Sequence, residues 1–256
     1  MIELNKIYNE ENIKTISRME DNFLDLTVTS PPYNVNLGNN KYKKDSYDLY
    51  NDNIEHKEYI KWLKSIFCLI YEKTKSGGRC IINIGDGKNG AIPTHSDIIQ
   101  TMVELKWIPI TTIIWNKKNT SNRAAWGSFK SPSCPSFPRS FEYILVFGKD
   151  SRKLSYKGET DLTKDEFVKW AYGEWCFPGE TDKNNISPAP YPIELPLRCI
   201  KMFSWIGSIV YDPFIGSGTT AVACLKTNRN YIGSEISKEC VDYSENRILN
   251  EKGKII

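Results

Sequence analysis

The fold of this chain is indicated most clearly by the stretch Ser208-Ile-Val-Tyr-Asp-Pro-Phe-Ile-Gly-Ser-Gly-Thr-Thr-Ala221. It starts as a short apolar strand, passes through a turn with two glycines, and continues into a predicted helix. Glycines in the pattern G-x-G-x-x-A, which runs from Gly216 to Ala221, let the backbone approach a ligand closely, and a helix start offers free N–H groups. The stretch therefore predicts a ligand-binding unit of an α/β sheet, with an ordinary tight strand-to-helix turn as the alternative.

Two carboxylates strengthen the ligand-binding interpretation. Asp212 ends the strand before the glycines, and Glu235 ends the next strand, 17 residues after Gly218. An acid about 20 residues beyond such glycines typically meets the hydroxyl pair of a ribose. Because no Gly-Lys-Ser/Thr follows the glycines, a P-loop ATPase is disfavoured. A nucleoside of low negative charge fits better, and S-adenosylmethionine is such a ligand.

Strand-like and helix-like segments alternate along the rest of the chain. Runs rich in β-branched and aromatic residues predict strands at 24–29, 80–84, 110–115, 141–147, 208–212 and 230–235, with a short piece near 6–8. Apolar periodicity predicts helices at 59–70, 97–105, 194–204, 218–227 and 237–249, the first ending at Gly77-Gly78. This alternation predicts a Rossmann-like α/β fold with a seven-stranded, mostly parallel sheet. The runs 110–115 and 141–147 have no helix between them, which predicts an antiparallel hairpin.

Composition excludes several kinds of site. The chain has 256 residues, a net charge of +3, seven scattered Cys without a C-x-x-C pair, and two His. These counts argue against a disulfide framework, a structural zinc site and a His-rich metal centre, so we expect no bound metal. No apolar run approaches the length of a membrane helix, and the N-terminus has no signal-peptide pattern. We therefore expect an intracellular protein that acts in the cytoplasm without a membrane partner.

A second motif follows the strand Leu24–Thr29. Ser30-Pro31-Pro32-Tyr33 forms a rigid turn, because two prolines fix their φ angles and supply no N–H donors. A hydroxyl, a fixed carbonyl and an aromatic face at the carboxyl end of a strand suit an exocyclic amino group on a flat base. From the residues alone, a simple loop exit with Tyr33 packed in the core explains the motif equally well. We also expect the polar stretch Gly38–Glu58 to fold over a displaced base.

Positive charge is concentrated between Glu104 and Glu142. This interval has no acidic residue, and its basic residues are Lys106, Lys117, Lys118, Arg123, Lys130 and Arg139. Trp126, Phe129 and Phe137 are interleaved with them. Cationic loops with aromatic residues suit phosphate neutralisation and base contact, so this interval is a candidate DNA-binding loop. The alternative is a solvated charged loop without a partner.

Taken together, the two motifs are similar to those of a known family. Thr29-Ser-Pro-Pro-Tyr-Asn34 followed by Asp212-Pro-Phe-Ile-Gly-Ser-Gly-Thr-Thr220 resembles the amino-methylating DNA methyltransferases of restriction–modification type. The order of the motifs resembles the circularly permuted beta class, and the likeness covers nearly the whole chain. It implies S-adenosylmethionine as cofactor and double-stranded DNA as partner. It leaves open a homodimer and a separate cognate restriction endonuclease.

The resemblance also implies roles for individual residues. The flipped base would be held by Ser30, Pro31, Pro32 and Tyr33, with DNA contacts from Lys117, Lys118, Arg123, Trp126, Lys130 and Arg139. The cofactor would be held by Asp212, Phe214, Gly216, Ser217, Gly218, Thr219, Thr220 and Glu235, with Glu11 where the family usually has Asp, and Pro190 in the segment that closes over the methionine end. The implied division is a catalytic half at 1–149 with a DNA loop at 116–140, a target-recognition insertion at 150–187, and a cofactor half at 188–256. Within the insertion, Thr163-Lys-Asp-Glu166 predicts a capping box that opens a short helix.

Ser as the first residue of the Ser-Pro-Pro-Tyr motif resembles the family members that methylate cytosine at N4. We therefore expect N4-methylation of a flipped cytosine, with adenine N6 as the alternative. Two other classes stay open: a non-catalytic DNA-binding subunit, and a methyltransferase acting on RNA or protein glutamine. The intact glycines and the intact catalytic turn argue against the first, and the motif order argues against the second.

Overall fold

The computed structural model describes residues 2–34, 53–118, 127–135, 137, 139–180 and 190–255. Two predicted DNA contacts, Arg123 and Trp126, lie outside the described residues, as does most of the stretch Gly38–Glu58. None of the helices within the described ranges combines the length and apolar composition needed to cross a bilayer.

One eight-stranded sheet organises these residues, in the order β1-β8-β7-β2-β3-β5-β4-β6. Strand β5 is antiparallel to both of its neighbours, and the other pairings are parallel. The mostly parallel α/β sheet and the hairpin of β4 and β5 are thus confirmed. The strands are β1 (Lys6–Asn9), β2 (Leu24–Thr29), β3 (Thr74–Ile84), β4 (Trp107–Asn116), β5 (Phe141–Lys149), β6 (Glu174–Cys176), β7 (Ile209–Asp212) and β8 (Asn230–Glu235).

Helices cover both faces of the sheet. They are α1 (Asn12–Ser17), α2 (His56–Lys73), α3 (Thr94–Glu104), α4 (Lys164–Trp170), α5 (Glu194–Phe203), α6 (Thr219–Lys226) and α7 (Lys238–Ile255). Side chains of α1, α2 and α3 fill the core on one face, and side chains of α5, α6 and α7 fill the core on the other. The amphipathic pattern of α2 explains why this helix packs on the sheet, since its apolar residues at three- and four-residue steps, from Tyr59 to Ile70, are buried.

Two details of the sequence prediction are wrong. The sheet has an eighth strand, β6, which lies in the 150–187 segment and forms the edge of the sheet beside β4, with Trp175 opposite Trp115. Gly77-Gly78 does not end a helix, because α2 ends at Lys73 and both glycines lie inside β3. The glycines are required there by close packing: a Cβ on Gly77 would lie 2.6 Å from the backbone of Lys153 and Ser155.

The sheet has a topological switch point between β2 and β7. After β2 the chain continues to β3 on one side, and after β7 it continues to β8 on the other. Open α/β sheets bind ligands in the crevice that forms where connections diverge in this way. Both motifs, Ser30-Pro31-Pro32-Tyr33 and the glycine loop after Asp212, begin at this crevice.

Candidate active site

A cleft of about 450 Å³ occupies the switch point. Ser30 and Pro32 line one part of it, and Phe214, Gly216 and Glu235 line another. Its volume lies within the range of about 300–1,000 Å³ that is common for small-molecule sites. Among the predicted cofactor and catalytic residues, those that line it are Ser30, Pro32, Phe214, Gly216, Ser217, Thr219, Glu235, Glu11 and Pro190.

The glycine loop is shaped by close packing on α7. Gly218 has a φ of +78°, and a Cβ there would lie 2.9 Å from the Cβ of Ser244. The Ser244 hydroxyl in turn donates a hydrogen bond of 2.7 Å to the carbonyl oxygen of Gly216. A side chain at Gly218 would therefore disturb both the turn and the backbone that lines the cleft.

Asp212 supports the cleft from behind. It is 1% exposed, and its carboxylate accepts hydrogen bonds from Thr29 Oγ1 at 2.7 Å, Thr220 Oγ1 at 2.6 Å and Tyr191 OH at 3.0 Å. Burial raises the pKa of Asp212, and these donors oppose that shift. With Gly218 and Thr220, Asp212 is absent from the described lining of the cleft. These three predicted cofactor residues therefore lie behind the residues that line the cleft.

Glu235 presents a fixed carboxylate at the end of β8. Its Oε2 accepts a hydrogen bond of 3.0 Å from Gly216 N, and its Oε1 accepts one of 2.9 Å from Ser237 N. Burial raises the pKa of Glu235, while these backbone donors favour its ionised form. A carboxylate held in this way keeps lone pairs for a vicinal diol such as that of ribose.

The charge of the cleft distinguishes between ligands. Glu10, Glu11 and Glu235 line it, and Glu10 is bonded to Arg18. No Lys or Arg occurs among the described residues of the lining. An acidic cleft without cations repels a polyphosphate and attracts a cation, so the donor set fits the sulfonium of S-adenosylmethionine.

Several residues of the lining were not predicted from the sequence. Trp62 packs its ring against Phe214 with 5.5 Å between centroids, and Tyr191 is hydrogen-bonded to Asp212. The periodicity of α2 places Trp62 near the core face but does not show that it reaches the glycine loop. The other missed lining residues are Glu10, Asn12, Ile13, Pro213, Ile215, Ser234 and Ile236.

The turn Ser30-Pro31-Pro32-Tyr33 belongs to a hydrogen-bond network that no sequence motif predicted. Ser30 Oγ lies 3.1 Å from Tyr33 OH, and Tyr33 OH donates to Glu142 Oε2 at 2.8 Å. Asn83 Nδ2 donates to Tyr33 OH at 2.8 Å and to Glu142 Oε2 at 2.7 Å. Lys117 Nζ is ion-paired with Glu142 Oε1. Tyr33 is therefore not a mere core aromatic but part of a polar site.

The predicted DNA contacts fall into two groups. Lys117 is bonded to Glu142, and Arg139 donates from Nη1 to Asp86 Oδ2 at 2.7 Å, so the ammonium and the guanidinium are both partly engaged within the protein. Lys118 and Lys130 are exposed, and Lys130 lies 5.5 Å from the ring centroid of Phe129. All four belong to the β4–β5 connection, which lies at the carboxyl ends of the parallel strands, as the cleft does.

Comparison with known proteins gives a consistent result. The family model described as DNA methylase matches residues 24–246. Type II methyltransferase M.MjaVI of Methanocaldococcus jannaschii is 40% identical over 189 residues, which cover 70% of this chain and 92% of that protein.

Two solved structures share the fold. TTHA0409 from Thermus thermophilus, complexed with S-adenosyl-L-methionine, has a TM-score of 0.75 at 23% identity and covers 96% of this chain and 93% of its own. The cytosine-N4-specific PvuII DNA methyltransferase has a TM-score of 0.72 at 17% identity and covers 98% of this chain and 92% of its own.

Proposed function

This chain belongs to the DNA methylase family, and we propose that it methylates the N4 amino group of a cytosine flipped out of duplex DNA. It is an amino-methylating DNA methyltransferase of restriction–modification type, and its cofactor is S-adenosylmethionine. One observation carries the proposal: the catalytic turn and the glycine loop, at opposite ends of the sequence, line one cleft. A base and a methyl donor would meet there.

The cofactor end of the cleft is built by residues after β7 and β8. Glu235 would bond the ribose hydroxyls, and the backbone N–H of Ser217, just before α6, would bond the carboxylate of the methionine part. Phe214 supplies an apolar wall beside Trp62. S-adenosylmethionine supplies an electrophilic methyl group on a sulfonium, and the acidic lining suits that positive charge.

The catalytic end holds the amino group of the target base. Ser30 has one hydroxyl hydrogen, and its two acceptors, Tyr33 OH and the carbonyl of Asn83, lie 3.1 Å and 3.2 Å away within the protein. Its oxygen therefore keeps a lone pair for an N–H of the base, and the fixed carbonyl of Pro31 is a second acceptor. Two acceptors orient the amino nitrogen for direct attack, so no covalent enzyme intermediate is needed.

Two features favour cytosine over adenine. The motif begins with Ser30, as in the family members that methylate cytosine N4, and the fold is shared with a cytosine-N4-specific enzyme. Both bases offer an amino group to the same acceptors, so adenine N6 is the competing substrate.

DNA would lie across the carboxyl ends of the parallel strands, where the cleft opens. The β4–β5 connection leaves the sheet at this end, and β6 ends there opposite Asn116. Phe129 and Phe137 in that connection are 64% and 75% exposed, and the Lys130 ammonium lies 5.5 Å from the ring centroid of Phe129. We assign phosphate contacts and strand separation to this connection, and sequence reading to it together with the 150–187 segment.

Mass spectrometry of modified DNA tests the proposal. The protein is incubated with S-adenosylmethionine and unmethylated DNA of mixed sequence, and the DNA is then digested to nucleosides. We expect N4-methylcytosine, and we expect Ser30→Ala to abolish it while cofactor binding in calorimetry stays intact. N6-methyladenine would overturn the choice of base, and full activity of Ser30→Ala would overturn the assignment of the catalytic turn.

A further inference from the structure

Glu142 is a buried carboxylate that the methylation mechanism above does not use. It is 8% exposed on β5, and it accepts hydrogen bonds from Tyr33 OH and Asn83 Nδ2 and an ion pair from Lys117. An ion pair this deep is weak evidence for stability, because desolvation offsets the attraction. Glu142 is linked to Ser30 through two successive hydrogen bonds, by way of the Tyr33 hydroxyl, which indicates a role in the reaction.

The carboxylate fixes the direction of every hydrogen bond between itself and Ser30. An ionised carboxylate only accepts, so Tyr33 must donate to Glu142 and Asn83 must turn its NH₂ group toward it. The Tyr33 oxygen is then an acceptor, and the Ser30 hydroxyl can donate to it at 3.1 Å. Asn83 Oδ1 is left buried without a hydrogen-bond partner among the described residues. An unpaired buried acceptor costs about 1–3 kcal/mol. The network therefore keeps these hydrogen-bond directions although they leave Asn83 Oδ1 unpaired.

On the basis of the proposed function, we propose that Glu142 is a positioning residue that polarises Ser30 through Tyr33 and accepts the proton released by methylation. As the N–C bond forms, the C–S bond breaks and its electron pair stays on sulfur. The amino nitrogen then carries a positive charge and loses one proton to Ser30 Oγ. The Ser30 proton passes to Tyr33, and the Tyr33 proton passes to Glu142. The methylated base ends neutral, and Glu142 ends as a carboxylic acid.

Lys117 carries the proton from Glu142 to solvent: its ammonium gives one proton to water, and the neutral amine then takes the proton of the Glu142 carboxylic acid. Its side chain is 27% exposed, against 10% for that of Glu142, so its ammonium connects the buried carboxylate to solvent. This step returns Glu142 to a carboxylate and the pair to its starting net charge.

Glu142→Gln separates this role from a structural one. The amide oxygen of Gln can still accept from Tyr33 and Asn83, but it cannot take up the proton. We expect wild-type affinity for S-adenosylmethionine and for DNA, and a single-turnover methylation rate lower by about 10²–10⁴-fold, the usual share of general acid–base catalysis. Glu142→Asp, which keeps a carboxylate, should recover part of that loss. In D₂O the wild-type rate should fall, whereas the rate of Glu142→Gln should not change.

Asp25 provides the matched control. It is a 3% exposed carboxylate near the amino end of β2, whereas the cleft lies at the carboxyl end, and it is also bonded to a lysine, Lys75, and to the hydroxyl of Tyr156. Asp25→Asn should change the stability of the protein but leave the single-turnover rate within about twofold of wild type. If Asp25→Asn lowered the single-turnover rate as much as Glu142→Gln does, the effect of Glu142→Gln would be a consequence of impaired folding. That result would overturn the proposal.

A readout on the free protein completes the test. The Tyr33 hydroxyl proton should give a slowly exchanging downfield NMR signal that Glu142→Gln moves upfield, because its acceptor loses its charge. Glu142→Gln with a wild-type rate on active DNA would refute the relay while leaving the proposed function standing. A wild-type protein that methylates no DNA would refute both.

Discussion

Gly218→Ala is the most direct perturbation of the cofactor loop. Gly218 has a φ of +78°, so alanine incurs the left-handed strain of about 1–2 kcal/mol. Its new Cβ would also lie 2.9 Å from Ser244 Cβ, and such overpacking adds about 1–3 kcal/mol. We therefore expect the free energy of unfolding to fall by about 2–5 kcal/mol. Because Ser244 holds the carbonyl of Gly216, whose N–H holds Glu235, cofactor affinity should fall about tenfold or more.

Gly207→Ala isolates the contribution of the loop. Gly207 has nearly the same φ, +79°, but a Cβ there meets no atom within 4 Å. This variant should lose only the strain of about 1–2 kcal/mol and bind the cofactor normally. Urea denaturation measures the stabilities, and calorimetry measures the affinity for S-adenosylmethionine. Equal stability losses in the two variants would refute the packing argument, and unchanged cofactor affinity in Gly218→Ala would refute the role of the loop.

Two further predictions concern charge. Burial opposes ionisation of Asp86, but hydrogen bonds from His95 and Arg139 outweigh it and lower the pKa of Asp86 below its usual 3.8. The stabilisation by ionised Asp86 is then complete above about pH 4 and is lost as the pH falls through the lowered pKa. The free energies of unfolding of wild type and Asp86→Asn, measured by urea denaturation, should therefore converge at acidic pH. A difference between the two that does not change with pH would contradict this. Lys130→Gln should weaken DNA binding and reduce the slope of log affinity against log salt by about 1, whereas Lys254→Gln, at the far end of α7, should leave the slope unchanged. An unchanged slope for Lys130→Gln would remove that residue from the interface.

Local sequence predicted the two motifs well, because each is a short turn whose geometry depends on its own residues. Prolines fix the turn after β2, and glycines fix the turn after β7, whatever lies elsewhere in the chain. The capping box from Thr163 to Glu166 is confirmed for the same reason. Gly77-Gly78 was misread because a glycine needed for close approach cannot be told from a glycine that ends a helix until its neighbours are known.

The network around Glu142 could not be predicted in this way. Asn83 lies within β3 and Glu142 within β5, and neither belongs to a recognisable pattern; Lys117, just after β4, is predicted from the sequence only as a DNA contact. They meet only because β3 and β5 pair in antiparallel register, with Asn83 opposite Ile144, and because β4 pairs with β5. Register between distant strands is a property of the whole sheet, and a single sequence does not state it.

The same sheet explains why two motifs more than 180 residues apart can cooperate. Thr29 and Asp212 end adjacent parallel strands, and the Thr29 hydroxyl donates to the Asp212 carboxylate at 2.7 Å in a fully buried contact. Ser30 follows the donor directly, and the glycine loop follows the acceptor directly, so neither turn can move without straining this bond. Methyl transfer without a covalent intermediate depends chiefly on the relative placement of nucleophile and donor. In this fold that placement is set by one strand pairing and one buried hydrogen bond.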